Sequence, residues 1–218
     1  MQQRQSFDIA LKELKLKLLR LGGDIQEAIR LSVSAFEAQD ADLATQVVQN
    51  DRKINVQDHE IEDLCIRLIA TQQPVAGDLR KIVAGLRLAM DLERMGDLAV
   101  DIAKSTIRLS GQTLLLPIDE IPAMAKLIDE MISEALNAYV NNDVDAAQRL
   151  AALDDEVDHR YRKLVEGLFA TTSNNPNHAT QAMTLAFCGR YLERIGDHAT
   201  NIGESVIYII SGERSDLN

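Results

Sequence analysis

Tryptophan is absent, aromatic residues make up only 4% of the chain, and its 218 residues include just four prolines and two cysteines. No run rich in Val, Ile, Thr and Tyr alternates strictly with polar residues, so strands are not expected. No stretch of 18 apolar residues occurs, and the N-terminus is polar from Gln2 to Ser6. A membrane span and a signal peptide are therefore not expected. The phosphate-binding patterns G-x-x-x-x-G-K-[ST] and G-x-G-x-x-G are missing, which removes the usual support for nucleotide binding. Positive charge is also short: 23 Lys and Arg stand against 34 Asp and Glu, a net charge of −11. Nucleic acids and anionic membrane surfaces draw much of their affinity from Lys and Arg, so neither is an expected partner. An acidic balance suits cations, basic partner patches or solubility. Cys65 and Cys188 both fall in apolar helical contexts. They are expected as buried free thiols in a reducing compartment, hence the cytoplasm.

What remains is helix-forming composition: 46% apolar residues, rich in Leu, Ala and Ile, with Glu, Asp, Arg and Lys between them. Six helical stretches are expected. The first runs from Phe7 to Gln39, with Leu11, Leu14, Leu18, Leu21, Ile25, Ile29, Val33 and Phe36 three or four apart and a possible bend at Gly22-Gly23. Asp40 is a candidate N-cap for the second, which ends near Gln72. Pro74 and Gly77 precede a third, Val75 to Leu109, closed by Gly111. The segment from Gly111 to Pro122, with Pro117, is the expected linker. A fourth helix reaches Val140, and Asn141, Asn142 and Asp143 form a turn. A fifth ends near Ala170, before a polar loop from Thr171 to Asn177 that includes Pro176. A sixth runs to Ile210. Short connections imply antiparallel neighbours. The expected fold is all-α: two tandem, pseudo-symmetric, antiparallel three-helix bundles, residues 1–111 and 112–218.

The two halves repeat one another. Leu92-Glu93-Arg94-Met95-Gly96-Asp97-Leu98-Ala99 returns as Leu192-Glu193-Arg194-Ile195-Gly196-Asp197-His198-Ala199, an offset of 100 residues. A period this long signals duplication of a whole unit. The second helices align at an offset of 103, with Asp51 opposite Asp154. At ~100° per residue, positions i, i+4, i+7 and i+11 share one stripe. Asp51, Asn55, Asp58 and Glu62 form one stripe, and Glu93 and Asp97 a second, with Asp101 at its edge. Asp154 and Asp158 repeat the first stripe, but Tyr161 and Val165 replace its lower half. Glu193, Asp197, Asn201 and Glu204 form the fourth.

Carboxylates four apart are ordinary on a solvated helix face. Here they recur, although like charges at i and i+4 destabilise a helix slightly. They also sit on a helix apolar nearly all round: Leu88, Ala89, Met90, Leu92, Met95, Leu98, Ala99, Val100 and Ile102. Such a helix is usually buried, and buried carboxylates must be paired, protonated or cation-bound. Oxygen donors suit Mg2+, Mn2+, Ca2+ or ferric iron rather than a thiolate zinc site. Arg94 and Arg194 either support such a site, meet an anion such as phosphate, or simply pair with a neighbouring acid. Gly96 and Gly196, each costing about 1 kcal/mol relative to Ala inside a helix, point to close helix approach beside the acids.

Two other classes compete. A ferritin-like di-iron enzyme needs two Glu-x-x-His elements. This chain has one, at Glu156 to His159, and its counterpart begins at Lys53. A metallophosphatase needs an open metal position and an activated water, which nothing here demands. The other alternative is a metal-free helical interaction module with solvated acidic stripes. His59, His159 and His178 are expected at the surface or at caps.

The doubled Leu-Glu-Arg-(Met/Ile)-Gly-Asp element resembles that of the PhoU family. The segment Gln73-Pro74-Val75-Ala76-Gly77-Asp78-Leu79-Arg80 and the acids Asp51 and Asp154 are also similar to the family's. The resemblance covers essentially the whole chain. It implies two three-helix bundles lined by acidic motifs that bind multinuclear metal clusters, iron first, with Zn, Mg, Mn or Ca as alternatives. It implies no catalysis. It implies a cytoplasmic negative regulator of the phosphate-starvation response that contacts the ATPase of the phosphate ABC transporter and a phosphate sensor histidine kinase, and that forms homodimers. Carried onto this chain, Asp51, Glu93, Asp97 and Asp101 serve the first bundle, where Asn55 stands in place of a commoner acid. Asp154, Asp158, Glu193 and Asp197 serve the second, where Asn201 replaces the acid found at position 101. Asp58 and Glu62 extend the first set. Asp78, Arg80, Arg94 and Arg194 are candidate partner or anion contacts.

Overall fold

The computed structural model describes residues 2–114, 118–174 and 178–217, without the side chains of residues 2–4 and 174. Six helices follow in order: α1 (Gln2–Ala38), α2 (Ala41–Gln72), α3 (Ala76–Leu109), α4 (Glu120–Asn141), α5 (Val144–Asn174) and α6 (Ala179–Ser211). No strand occurs among the described residues.

The caps explain the short turns. Asp40 accepts the backbone N–H groups of Asp42 (3.0 Å) and Leu43 (2.9 Å), taking up donors that the start of α2 leaves open. Asp143 does the same for Ala146 at 3.0 Å, at the start of α5. Asn142 ends α4 in the left-handed region (φ 52°), a conformation asparagine tolerates better than most residues. Between α2 and α3 the residues with positive φ are Gln73 and Ala76, so Gly77 does not make that turn.

Three helix bounds need correction. α1 begins at Gln2 rather than Phe7 and is helical through Gly22-Gly23. Gly22 serves packing: a Cβ there would stand 2.5 Å from Leu136 Cδ1 of α4. α4 begins at Glu120, with Pro122 inside its first turn, where a missing N–H leaves no hydrogen bond unmade. α5 continues through Thr171, Thr172 and Ser173. Their hydroxyls donate to the carbonyls of Gly167, Leu168 and Phe169 four residues back, so polar side chains are satisfied along a helix rather than in a loop. Pro117, Pro176 and Asn177 lie outside the described residues.

α1, α2 and α3 pack on one another, as do α4, α5 and α6. The two bundles are joined by α3 against α6 and α1 against α4. α2 and α5 touch only helices of their own half, so they form opposite outer edges. α3 and α6 run antiparallel, since Asp91 meets Asn201 near one end of their contact while Ser105 meets Cys188 near the other. The apolar interior is continuous across both halves, from Leu14, Leu18 and Ile25 through Leu92 and Met95 to Ile128, Leu192 and Ile202. Because the core is shared, urea is expected to unfold the chain in one transition, with far-ultraviolet circular dichroism and hydrodynamic size changing together. Leu92→Ala is expected to destabilise it by about 2–5 kcal/mol. Two separated transitions would show that the halves fold independently.

Candidate metal centres

α3 and α6 are buried on most sides. On α3, Leu88, Ala89, Leu92, Met95, Gly96, Leu98, Ala99 and Val100 are all buried. Met90 departs from the expected pattern and is 55% exposed. The polar strip left on α3 faces α2, and the strip on α6 faces α5. The helices of each pair run antiparallel, so Asp51 lies toward Asp97 while Asp58 lies toward Glu93.

In the first seam the acids crowd one another. Burial pushes the Asp51 carboxyl upward, and the Asp97 charge adds to it. Burial and Asp97 likewise raise Glu93, with smaller contributions from Asp58 and Asp51. Burial also raises Asp58. Asn55 donates from Nδ2 to Asp51 Oδ2 at 3.0 Å. The other oxygen, Asp51 Oδ1, is buried and has no hydrogen-bond partner. Arg94 lies 3.6 Å from Glu93 and 4.0 Å from Asp97, on the open side.

The second seam is drier. Asp154 and Glu193 are only 8% and 9% exposed. Burial, followed by the charges of Asp197, Asp158 and Asp155, pushes Asp154 up to about 7. Burial and Asp197 push Glu193 up to about 7 against the opposing pull of Arg190. Asp197 is raised chiefly by burial. Arg190 donates to Glu193 Oε1, whereas Glu193 Oε2 is buried and unpartnered. A Cβ on Gly196 would stand 2.9 Å from Asp154 Oδ1. Glycine is what lets that carboxylate lie against α6. At Gly96 the same Cβ would meet Ile25 Cδ1 at 2.9 Å and Ile54 Cγ2 at 3.3 Å, so there the glycine admits apolar groups.

The remaining candidates are placed as follows. Glu62 is exposed, one turn beyond Asp58, and its charge adds to the upward push on that acid. Asp101 is half-buried and pairs with Lys104 at 3.3 Å on its own helix. Asp158 is close enough to Asp154 and Glu193 to raise both. Asn201 turns away from α5 and donates to Asp91 Oδ1 of α3 at 3.3 Å, beside His198, whose Nδ1 is 3.0 Å from the same oxygen. Glu204 accepts the backbone N–H of Leu217 at 3.0 Å. Asp78 lies 3.4 Å from Lys81. Arg80 reaches the end of α6, with Nη1 3.5 Å from the Cβ position of Gly212. Arg194 is exposed and acts on Asp197 only through its charge. Sequence reasoning missed Arg190 and Asp91. Arg190 was legible as a cation three residues before Glu193, where the first half has Met90. Asp91 had no such signal, because its partners come from the other bundle.

No three Asp, Glu, His or Cys groups among the described residues converge closely enough to grip a metal ion as they stand. The donor set nonetheless fits a hard cation: oxygen ligands, two orphaned buried carboxylate oxygens, and acids held in unfavourable proximity.

Fold and seams together define a duplicated, all-helical protein with one carboxylate-lined seam per half. The PhoU domain profile matches residues 18–106 and again 121–206. The chain belongs to the PhoU family. It is 40% identical to the "Phosphate-specific transport system accessory protein PhoU homolog" of Clostridium acetobutylicum, across 99% of both chains. It is 28% identical to the Escherichia coli protein "Phosphate-specific transport system accessory protein PhoU", covering 95% of this chain and 86% of that one. The crystal structure of PhoU from Pseudomonas aeruginosa superposes with a TM-score of 0.91 at 33% identity, over 95% of this chain and 100% of the other.

Raised carboxyls set the sign of the pH dependence. A folded-state value near 7, above the unfolded value near 4, means the native state holds extra protons across that window. With chelator present, the urea midpoint is therefore expected to fall as pH rises from 5 to 8. Asp154→Asn is expected to flatten that slope and to raise the midpoint at pH 8. A midpoint that climbs with pH would contradict the buried-acid description. Gly196→Ala and Gly96→Ala should also differ. The first presses on the Asp154 carboxylate, so its destabilising effect is expected to change as pH rises from 5 to 8 and that acid ionises. The second overpacks Ile25 and Ile54, and its effect is expected to be the same across that range. Urea midpoints of the two variants, measured at several pH values, separate them.

Proposed function

We propose that this protein is an accessory regulator of phosphate uptake. It acts by binding rather than by catalysis, restraining the phosphate-starvation response through the ATPase of a phosphate ABC transporter and a phosphate sensor histidine kinase. The observation that carries this reading is the doubled PhoU domain match, which spans most of the chain and agrees with the superposition on a solved PhoU structure. Its relatives are named as accessory proteins of the phosphate-specific transport system. No helix among the described residues is long and apolar enough to cross a membrane. The reading places the protein in the cytoplasm, as a homodimer, on the inner face of the transporter.

Asp51, Asp58, Glu93 and Asp97 would hold metal in the first seam, and Asp154, Asp158, Glu193 and Asp197 in the second. Iron is the first expectation. A bound cation would neutralise the crowded carboxylates and so brace α2 against α3 and α5 against α6. Asn55 orients Asp51 by donating to one of its oxygens, leaving the other for a ligand. Arg190 holds Glu193 in the seam and competes for it. That competition also favours a second reading, a metal-free interaction module in which arginine does the neutralising.

Elemental analysis of protein purified without chelators separates the two. The metal reading expects bound transition metal, a lower Tm after chelation, and loss of metal from one seam each in Asp97→Ala and Asp197→Ala. Protein free of metal, with a Tm indifferent to chelator, leaves the module. The regulatory role is tested by deleting the gene, which is expected to derepress phosphate-starvation genes in phosphate-rich medium. Unchanged expression would overturn it.

A further inference from the structure

Although the chain is strongly acidic, three lysines meet at one notch. It opens where α1, the start of α3 and the C-terminal ends of α4 and α6 come together. Lys12, Lys15 and Lys81 border a volume of about 200 Å3 whose remaining walls are largely apolar, Leu11, Leu14 and Ile209 among them. Both bundles contribute to it.

No Asp or Glu among the described residues is part of the notch lining. Asp78 lies 3.4 Å from Lys81. Lys15 donates to the Val140 carbonyl at the end of α4, whose partial negative charge favours a cation. Its Nζ also lies 5.8 Å from the centre of the Tyr139 ring. Burial and the neighbouring Lys81 push Lys15 below its ordinary value, and no carboxylate pulls it back. Arg80, next to Lys81, leaves a buried Nε without a hydrogen-bond partner. The charged side chains that line the notch, Lys12, Lys15 and Lys81, are all cations, and Arg80 is not among them. The notch is positive in a negative protein.

We propose that this notch binds a small phosphate-type oxyanion, held by Lys12, Lys15 and Lys81. Lysine ammonium groups act as compact point charges toward phosphate. The volume is below the ~300 Å3 of a typical small-molecule pocket, which suits a single phosphate group better than a whole nucleotide. A bound anion relieves the repulsion between Lys15 and Lys81 and draws α1 and α3 toward α4 and α6. The site is separate from the acidic seams and goes beyond the transport role.

Calorimetric titration of the full chain with inorganic phosphate, in low salt and with chelator present, tests the proposal. One saturable site per chain is expected. Lys15→Gln is expected to weaken it at least tenfold. Lys12→Gln/Lys81→Gln should do the same, and it alters only exposed side chains, so the fold survives if Lys15 proves structurally needed. Arg30→Gln, elsewhere on α1, should leave the affinity unchanged, and added sodium chloride should lower it. Equal binding of sulfate would mark a general oxyanion site. Tighter, lysine-dependent binding of ADP would mark the phosphate of a phosphorylated metabolite. Either outcome keeps the notch. Absence of saturable binding at millimolar phosphate would overturn the proposal, as would binding that the lysine variants leave intact or that appears only without chelator. Family membership and the transport reading stand whichever way this falls.

Discussion

The structure depends on the burial of α3 and α6 from three sides at once. α3 is packed by α1, α2 and α6, and α6 by α3, α4 and α5. A helix enclosed in this way has one narrow strip left for polar groups. On both helices that strip carries Glu and Asp one turn apart, facing the outer helix of the same half. The carboxylates are therefore crowded by architecture, because any other orientation would drive them into the continuous apolar core. That enclosure raises Asp51, Glu93, Asp154 and Glu193 above the usual carboxylate range. It also explains the glycine in each motif: little room remains where the outer helix or its carboxylate meets α3 and α6.

Much of this was legible beforehand because it rests on local periodicity. The apolar spacing along α1, the Asp40 cap and the hundred-residue repeat are properties of short windows, and each appears where the chain placed it. The acidic stripes were legible for the same reason. What escaped depends on which helix lies across the way. Asn201 shares a stripe with Asp197, yet it bonds to Asp91, because the two residues diverge enough on α6 to face different neighbours. Glu62 shares a stripe with Asp58, but its side chain is exposed. Ser and Thr at the end of α5 read as loop, since their helix propensity is modest. Back-bonding to carbonyls four residues earlier keeps them helical.

The halves have diverged in how each seam is neutralised. Arg190 reaches Glu193 in the second seam, while its counterpart Met90 leaves Glu93 to the exposed Arg94. At the other end of the motif the difference reverses. Lys104 pairs with Asp101 in the first half, whereas its counterpart Glu204 is occupied by the backbone N–H of Leu217. The first seam thus has Arg94 and Lys104 at its edge, and the second has Arg190. Asp51 in one half and Asp154 in the other have no ion pair among the described residues, and each is raised by burial and by the acid across the seam. Asp154 is the drier, so the repulsion is screened less there.

This imbalance bears on how a change in one seam reaches the other. α2 and α5 do not touch, so the seams have no direct path between them. Their inner helices, α3 and α6, are packed together, and the Asp91, His198 and Asn201 cluster sits across that contact. His198 follows Asp197 directly, and Asn201 lies one turn beyond it. A shift of α6 that reseats Asp197 moves both groups that hold Asp91. Position 191, the counterpart of Asp91, is Tyr191, which lies near Asp101. The first seam's edge thus meets a tyrosine, whereas the side of α6 beside the second seam meets a carboxylate. Neutralising Asp197 would alter the charge felt by His198 and, through it, the hold on α3. Asp97 is followed by Leu98, so the first motif places no titratable group at the equivalent position, and its half meets α6 through Asp101 near Tyr191 instead. Any coupling through the α3–α6 contact is reciprocal, but it rests on different chemistry beside each seam: a carboxylate held by His198 and Asn201 at the second, a tyrosine at the first.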